Sequence, residues 1–188
     1  MNTLVLIGAI VLVLVIILYP SYVGVVKARN SLLEAKSGID VQFRKRYELI
    51  PNILTIASKF MEHEKEIFEK ITALRTQAMN SQVGSNESFE CNAKLDGLLS
   101  QLKVSMENYP TLKSDATMVQ AMQTYNEVEE HIAAARRFYN SALTNLNNKI
   151  MIFPSSLFKG CVADVLDSKY YECEEAAKTS INAGDYLK

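Results

Sequence analysis

Residues 43–78, FRKRYELIPNILTIASKFMEHEKEIFEKITALRTQA, place apolar side chains at alternating steps of four and three. The stripe runs Phe43, Tyr47, Ile50, Leu54, Ala57, Met61, Glu64, Phe68, Ile71, Arg75, Ala78, and nine of its eleven positions are apolar. A period of about 3.5 residues held over about five heptads marks a long helix with one packed seam; a strand would repeat every two residues. The phase passes Pro51 unchanged. Because proline lacks an amide donor and crowds the preceding turn, a kink or a short break between two collinear helices is predicted there. Gly84, inside NSQVGSN at residues 80–86, is the stop signal.

Towards the C-terminus the same spacing recurs. Leu95, Leu99, Leu102 and Met106 predict a second helix from about Glu87 to Asn108, closed by Tyr109-Pro110. A third stripe, Met118, Met122, Tyr125, Glu129, Ile132, Arg136, Tyr139, Leu143, Leu146, Ile150, Phe153, predicts a helix capped by Asp115 and ended by Pro154. Beyond Pro154 the pattern weakens, and Leu157, Phe158, Val162, Val165 and Leu166 predict one short amphipathic helix and Tyr170 to Ala177 another. The tail from residue 159 to 188 carries six acids against three lysines from Asp164 onward, which predicts a solvated end.

Towards the N-terminus, residues 4–18 read LVLIGAIVLVLVIIL. Thirteen Leu, Ile or Val side chains, Leu4, Val5, Leu6, Ile7, Ile10, Val11, Leu12, Val13, Leu14, Val15, Ile16, Ile17 and Leu18, are interrupted only by Gly8 and Ala9. The uncharged stretch lasts from Asn2 to Val26, roughly 37 Å as a helix, enough for a hydrocarbon core of about 30 Å. A transmembrane helix is therefore predicted, with Tyr19 and Tyr22 at the interface. A cleaved signal peptide fits less well: no Lys or Arg precedes the run, and YPSYVGVV at residues 19–26 offers no small-x-small site. Six basic residues follow, Lys27, Arg29, Lys36, Arg44, Lys45 and Arg46, so the positive-inside rule places the domain in the cytoplasm with the N-terminus outside.

The resulting expectation is an all-α chain: anchor and interface at residues 1–26, an antiparallel helical bundle at 27–158, and an acidic tail at 159–188. Twenty Lys and Arg against 21 Asp and Glu leave a formal charge of -1, which gives no reason to expect nucleic acid as a partner. Cys91, Cys161 and Cys173 are odd in number and unpaired in spacing, so they read as reduced thiols.

Shorter motifs accumulate along the chain: RN at Arg29-Asn30, IDVQ at residues 39–42, LIPN at 49–52 and HE at His63-Glu64. Further on come YPxLK at 109–113, ExxI from Glu129 to Ile132, AARRxYN at 134–140 and FPS at 153–155. Together, over roughly residues 19–158 and in this order, they make the chain resemble the LemA family of bacterial membrane proteins. The resemblance implies one N-terminal transmembrane helix, a cytoplasmic domain of long antiparallel helices, and no established enzymatic activity; it carries over no catalytic residue. Val23, Lys36 and Ser156 depart from the family's usual Asn, Trp and Asn.

His63-Glu64 opens like a zinc-protease HExxH but continues HEKEI, and His131 is remote in sequence, so no metal site is expected. Phosphate loops, nucleophile elbows and Cys-His pairs are missing from the sequence as motifs. Charged residues within the seams are more informative: Glu64, Arg75, Glu129 and Arg136. Polar groups at seam positions cost stability unless paired, and their best-attested use is to fix register. Glu129 and Arg136 lie roughly 10 Å apart along one helix, so their partners are expected on other helices or another subunit, the alternative being that these charges tilt to the surface and snorkel. The Arg44-Lys45-Arg46 triplet, roughly 27 Å from the membrane end, is expected on a solvated face or against a partner.

The function expected is non-catalytic: a membrane-anchored scaffold or interaction protein of the bacterial cytoplasmic membrane, with a rod of roughly 80 Å from Lys27 to Asn80. The alternative is a membrane-organising or membrane-remodelling protein acting through self-assembly. The partners expected are the lipid bilayer through residues 3–22, a second copy of the chain, and a protein of unidentified kind. No nucleic acid, small-molecule substrate or cofactor is inferred.

Overall fold

A computed structural model of the chain describes residues 2–81 and 85–171. Gly84, Cys173 and, past Tyr171, the expected tail helix lie outside the described residues. Within them the order is α1 (Asn2–Ala57), α2 (Lys65–Asn80), α3 (Asn86–Ser105), a 3-10 turn (Met106–Asn108), α4 (Pro110–Lys113), α5 (Ala116–Met151) and 3-10 turns (Ser155–Val165) kinked at Val162. Every described element is helical, the all-α class that the periodicity predicts. Local signals set the ends: Ser85 Oγ accepts from the Ser88 amide at 3.1 Å, Asp115 from the Met118 amide at 2.9 Å, and Pro110 occupies the first turn of α4. The Met118 amide is also the main reason the Asp115 carboxyl titrates below its ordinary range.

α1 has two characters. Its first part, Leu4 to Ile17, exposes its large apolar side chains, and Leu18 is half-buried. This is the one described helix long and apolar enough to cross a membrane. From Val25 the helix buries a stripe instead: Val25, Ala28, Leu32, Ala35, Ile39, Phe43, Arg46, Ile50, Ile53, Ala57. Its steps are again threes and fours.

The predicted interruption at Pro51 is displaced. α1 runs through Pro51 and ends at Ala57. Pro51 has no amide hydrogen for the carbonyl of Tyr47, and the guanidinium Nε of Arg75 donates to that oxygen instead. Arg75 can reach it because the chain turns between Ser58 and Glu64 and α2 runs back along α1. The single rod expected over residues 43–78 is thus two antiparallel helices whose phases agree across the turn. Beyond Lys27, α1 extends roughly 45 Å, not 80 Å.

α5 also runs antiparallel to α1: Lys149 lies beside Gly24, and Glu129 meets Arg46. Along this hairpin two cores form. In the first, α2 and α3 cover the half from Ile39 to Ala57, making a four-helix layer with Ile71, Leu95, Leu102, Met118 and Ile132. In the second, Val25, Ala28, Leu32 and Ala35 pack on Tyr139, Leu143, Leu146 and Ile150, and among the described residues Phe158, Val162 and Val165 of the 3-10 turns, with Tyr171, cover them. Residues 155–165 therefore fold back on the hairpin as 3-10 turns, where an α-helical segment was predicted. Arg29 fastens them to α1 through a two-pronged bond with Asp164, at 3.0 and 2.6 Å. Phe153, the last position of the predicted α5 stripe, lies past the helix end and is exposed.

Candidate functional site

Within the first core, flanked along α1 by Phe43 and Ile50, sits Arg46, read from the sequence as a solvated or partner-facing cation and found here 0% exposed. Its position follows from helix geometry. Arg46 lies three residues after Phe43 and four before Ile50, in phase with the buried stripe, whereas Arg44 bonds Asp40 at the surface at 3.0 Å and Lys45 is exposed.

A buried guanidinium costs several kcal/mol unless its donors are met by charge. Nη1 donates to Asp96 of α3 and, at 3.3 Å, to Glu129 of α5; Nη2 donates to the Asn92 side-chain oxygen. Burial pulls the Arg46 ionisation down, but the charges of Asp96 and Glu129 outweigh it and hold the value above the ordinary one. Phe43 and Tyr47 flank the cation, their ring centroids 5.2 and 5.9 Å away. Asn92 is fixed in turn: its amide nitrogen donates to the Ser88 carbonyl, and its oxygen also accepts from the Tyr47 hydroxyl, both at 2.8 Å.

Asp96 is shared. One carboxylate oxygen serves Arg46, and the other accepts from Arg136 Nη2 at 2.9 Å. Two arginines and two carboxylates from three helices therefore balance one another. Burial first, and the Glu129 charge second, push the Tyr125 phenol far above its ordinary value.

The chain returning from the 3-10 turns closes the cluster with Tyr171. Asn140 grips its backbone twice, donating to the carbonyl at 2.8 Å and accepting from the amide at 2.9 Å. The Tyr171 ring then packs on Phe89 at 4.2 Å, Tyr139 at 5.3 Å and Phe43 at 6.1 Å, with the Arg136 guanidinium 5.6 Å away. Burial raises the Tyr171 phenol.

Of the four seam charges, Glu129 and Arg136 meet here, each paired to another helix. Arg75 sits apart on the Tyr47 carbonyl. Glu64 is not in a seam, because it falls in the turn after α1 and caps α2, its carbonyl accepting from the Phe68 amide at 3.3 Å. His63 and His131 are exposed on different elements, and among the described residues no three His, Cys, Asp or Glu side chains gather as for a metal. Cys91 is buried, which raises its thiol, and Cys161 is exposed.

Sequence reasoning missed Arg46, Asn92, Asp96, Asn140 and Tyr171. Phase marked the first, since Ile39, Phe43, Arg46, Ile50 and Ile53 form as regular a stripe as the one through Tyr47 and Leu54. Asn92 and Asp96 are one turn apart on α3, but nothing local names their partners. Chemically the cluster binds: it fastens α1, α3, α5 and the returning chain at one relative height.

The LemA family model matches residues 35–183, beginning within α1 after the apolar run. Protein LemA of Metamycoplasma hominis is 28% identical over 155 residues, which cover 80% of this chain and 69% of that protein.

Proposed function

The chain belongs to the LemA family, and from that premise we propose that it is a membrane-anchored helical scaffold, non-catalytic, held at the bacterial cytoplasmic membrane. One observation carries this: the apolar span and the central helix of the bundle are one uninterrupted helix, Asn2–Ala57. A signal sequence or flexible tether would separate the two at a linker. Here the residues that would lie in lipid, Leu4 to Leu18, lead without a break into the buried stripe that starts at Val25. The bundle is then displayed upright on its own anchor, with α2, α3 and the far half of α5 lifted clear of the bilayer and open to a partner.

The basic residues from Lys27 to Arg46 support a cytoplasmic domain and an external N-terminus. Self-assembly into a membrane-remodelling coat has less support, because the stripes of α1 and α5 face each other within one chain.

Exposed Cys161 provides the test, with Cys173→Ser removing the second candidate thiol. A membrane-impermeant maleimide is expected to label inverted vesicles and spare intact cells. Labelling of intact cells would reverse the orientation, and release of the protein by alkaline carbonate would remove the anchor. Light scattering of the full chain in nanodiscs then separates a displayed monomer from an assembling coat.

A further inference from the structure

The end of α5 carries an apolar surface that neither core absorbs. Met151 is 77% exposed, Ile152 63%, Phe153 75% and Leu157 64%. Four large apolar side chains within seven residues make a contiguous patch on a turn, where solvent contact is costly and scattered single exposures would be ordinary.

Its place in the fold identifies what covers it. α5 descends along α1, Ile150 joins the core of Val25, and Lys149 lies beside Gly24. The chain leaves α5 travelling towards the apolar span. It then turns so that Phe158 packs edge-on against Tyr22, with ring centroids 5.4 Å apart. Tyr22 is four residues past Leu18, roughly 6 Å along the helix axis. The polar layers add roughly 5 to 7 Å to each face of the hydrocarbon core, so Tyr22 and Phe158 stand within that layer. Lys27, Lys149 and Lys159 are exposed around the turn, while the nearby acid Asp164 is engaged by Arg29. Apolar side chains below and lysines above are the pattern of a segment lying in an anionic interface.

Resting on the membrane-anchored reading above, we propose that Met151–Leu157 is a second bilayer contact, an apolar wedge that enters the interfacial layer beside the transmembrane helix. The anchor then holds the chain at one point and the wedge at another, which fixes the rotation of the bundle about α1 as well as its height.

The test uses the full chain in nanodiscs of phosphatidylcholine and phosphatidylglycerol, with Cys161→Ser and Cys173→Ser and buried Cys91 retained. An environment-sensitive fluorophore is attached after Phe153→Cys or Leu157→Cys, with Leu12→Cys and Val119→Cys as references. All four positions are exposed, so labelling spares the core. The expected result is a blue shift and loss of most emission at 153 and 157 with nitroxide near the headgroup, deep quenching at 12, and no response at 119. Quenching at 12 without quenching at 153 and 157 would overturn the wedge while the anchor stands. No quenching at 12 would overturn both. A blue shift at 153 that no nitroxide lipid quenches would assign the patch to a second copy or another protein and overturn the lipid contact.

Discussion

The hairpin of α1 and α5 is built differently at its two ends. Towards the apolar span its stripe on α1 is narrow and partly small, Val25, Ala28, Leu32 and Ala35, and among the described residues α5, the strap of 3-10 turns and Tyr171 cover it. Away from the apolar span the buried surface of α1 widens to Phe43, Arg46, Tyr47, Ile50 and Ile53, and two further helices cover it. A two-position stripe makes a seam, whereas a third position per heptad makes a face that must be covered from more than one side. The number of layers at each height thus follows from how wide the apolar stripe is there. Arg136, between Ile132 of the first core and Tyr139 of the second, marks the level where one regime gives way to the other, and Asp96 ties it to Arg46.

The sharpest way to break this division is at that level. Asp96→Ala would leave Arg46 buried with only Glu129 as a counter-charge, and is expected to cost about 3 to 5 kcal/mol in denaturant titrations of the full chain in detergent. Arg136→Ala leaves the Asp96–Arg46 pair intact and should cost less; an unchanged melting curve and unchanged oligomer size would sink a pairing role for Arg136.

Next come the two cores themselves. Leu95→Ala in the four-helix layer is expected near the top of the range of about 2 to 5 kcal/mol for a truncated core leucine. Leu32→Ala, in the thinner end, should fall near the bottom, because two helices can close on a cavity more readily than four. Equal costs would mean that the two ends are equally rigid.

Arg75→Ala orphans the Tyr47 carbonyl and is expected to cost about 1 to 3 kcal/mol. Pro51→Ala restores an amide to that carbonyl, so the double variant should be more stable than Arg75→Ala alone. A purely additive double variant would show that Arg75 does not stand in for the missing donor.

The smallest effect is electrostatic and confined to the end of the hairpin nearest the apolar span. Its hydrogen bond from Arg29 lowers the Asp164 carboxyl below its ordinary 3.8. A depressed acid stabilises the fold above its unfolded value and loses that contribution as pH falls through the folded one. Protection of residues 155–165 against hydrogen exchange, taken relative to the intrinsic rate at each pH, should therefore fall below about pH 4, and Asp164→Asn should lower it already at neutral pH.

Local periodicity made most of the fold legible. The stripes of α3 and α5, the Asp115 cap and the apolar span each depend on neighbours within a few residues. The hairpin after Ala57 did not announce itself, because the phase of the stripe continues across the turn and Pro51 offered a nearer place for a break. A donor supplied from Arg75, 28 residues away in sequence from Tyr47, overrode the local rule. The cluster was half legible for the same reason. Glu129 and Arg136 stood out as charges in an apolar stripe, but Asp96, Asn140 and Tyr171 matter through contacts 31 to 50 residues distant, which no short-range pattern encodes.

In a bilayer, the unbroken α1 behaves as a lever with its pivot among the lipid tails. From Leu18 to Ala57 it measures roughly 58 Å, so a change in tilt of about ten degrees swings its far end by roughly 10 Å. Transmembrane helices tilt in answer to membrane thickness, and with span and stripe on one helix such an adjustment would carry through Pro20 and Pro51 to the tip of the bundle.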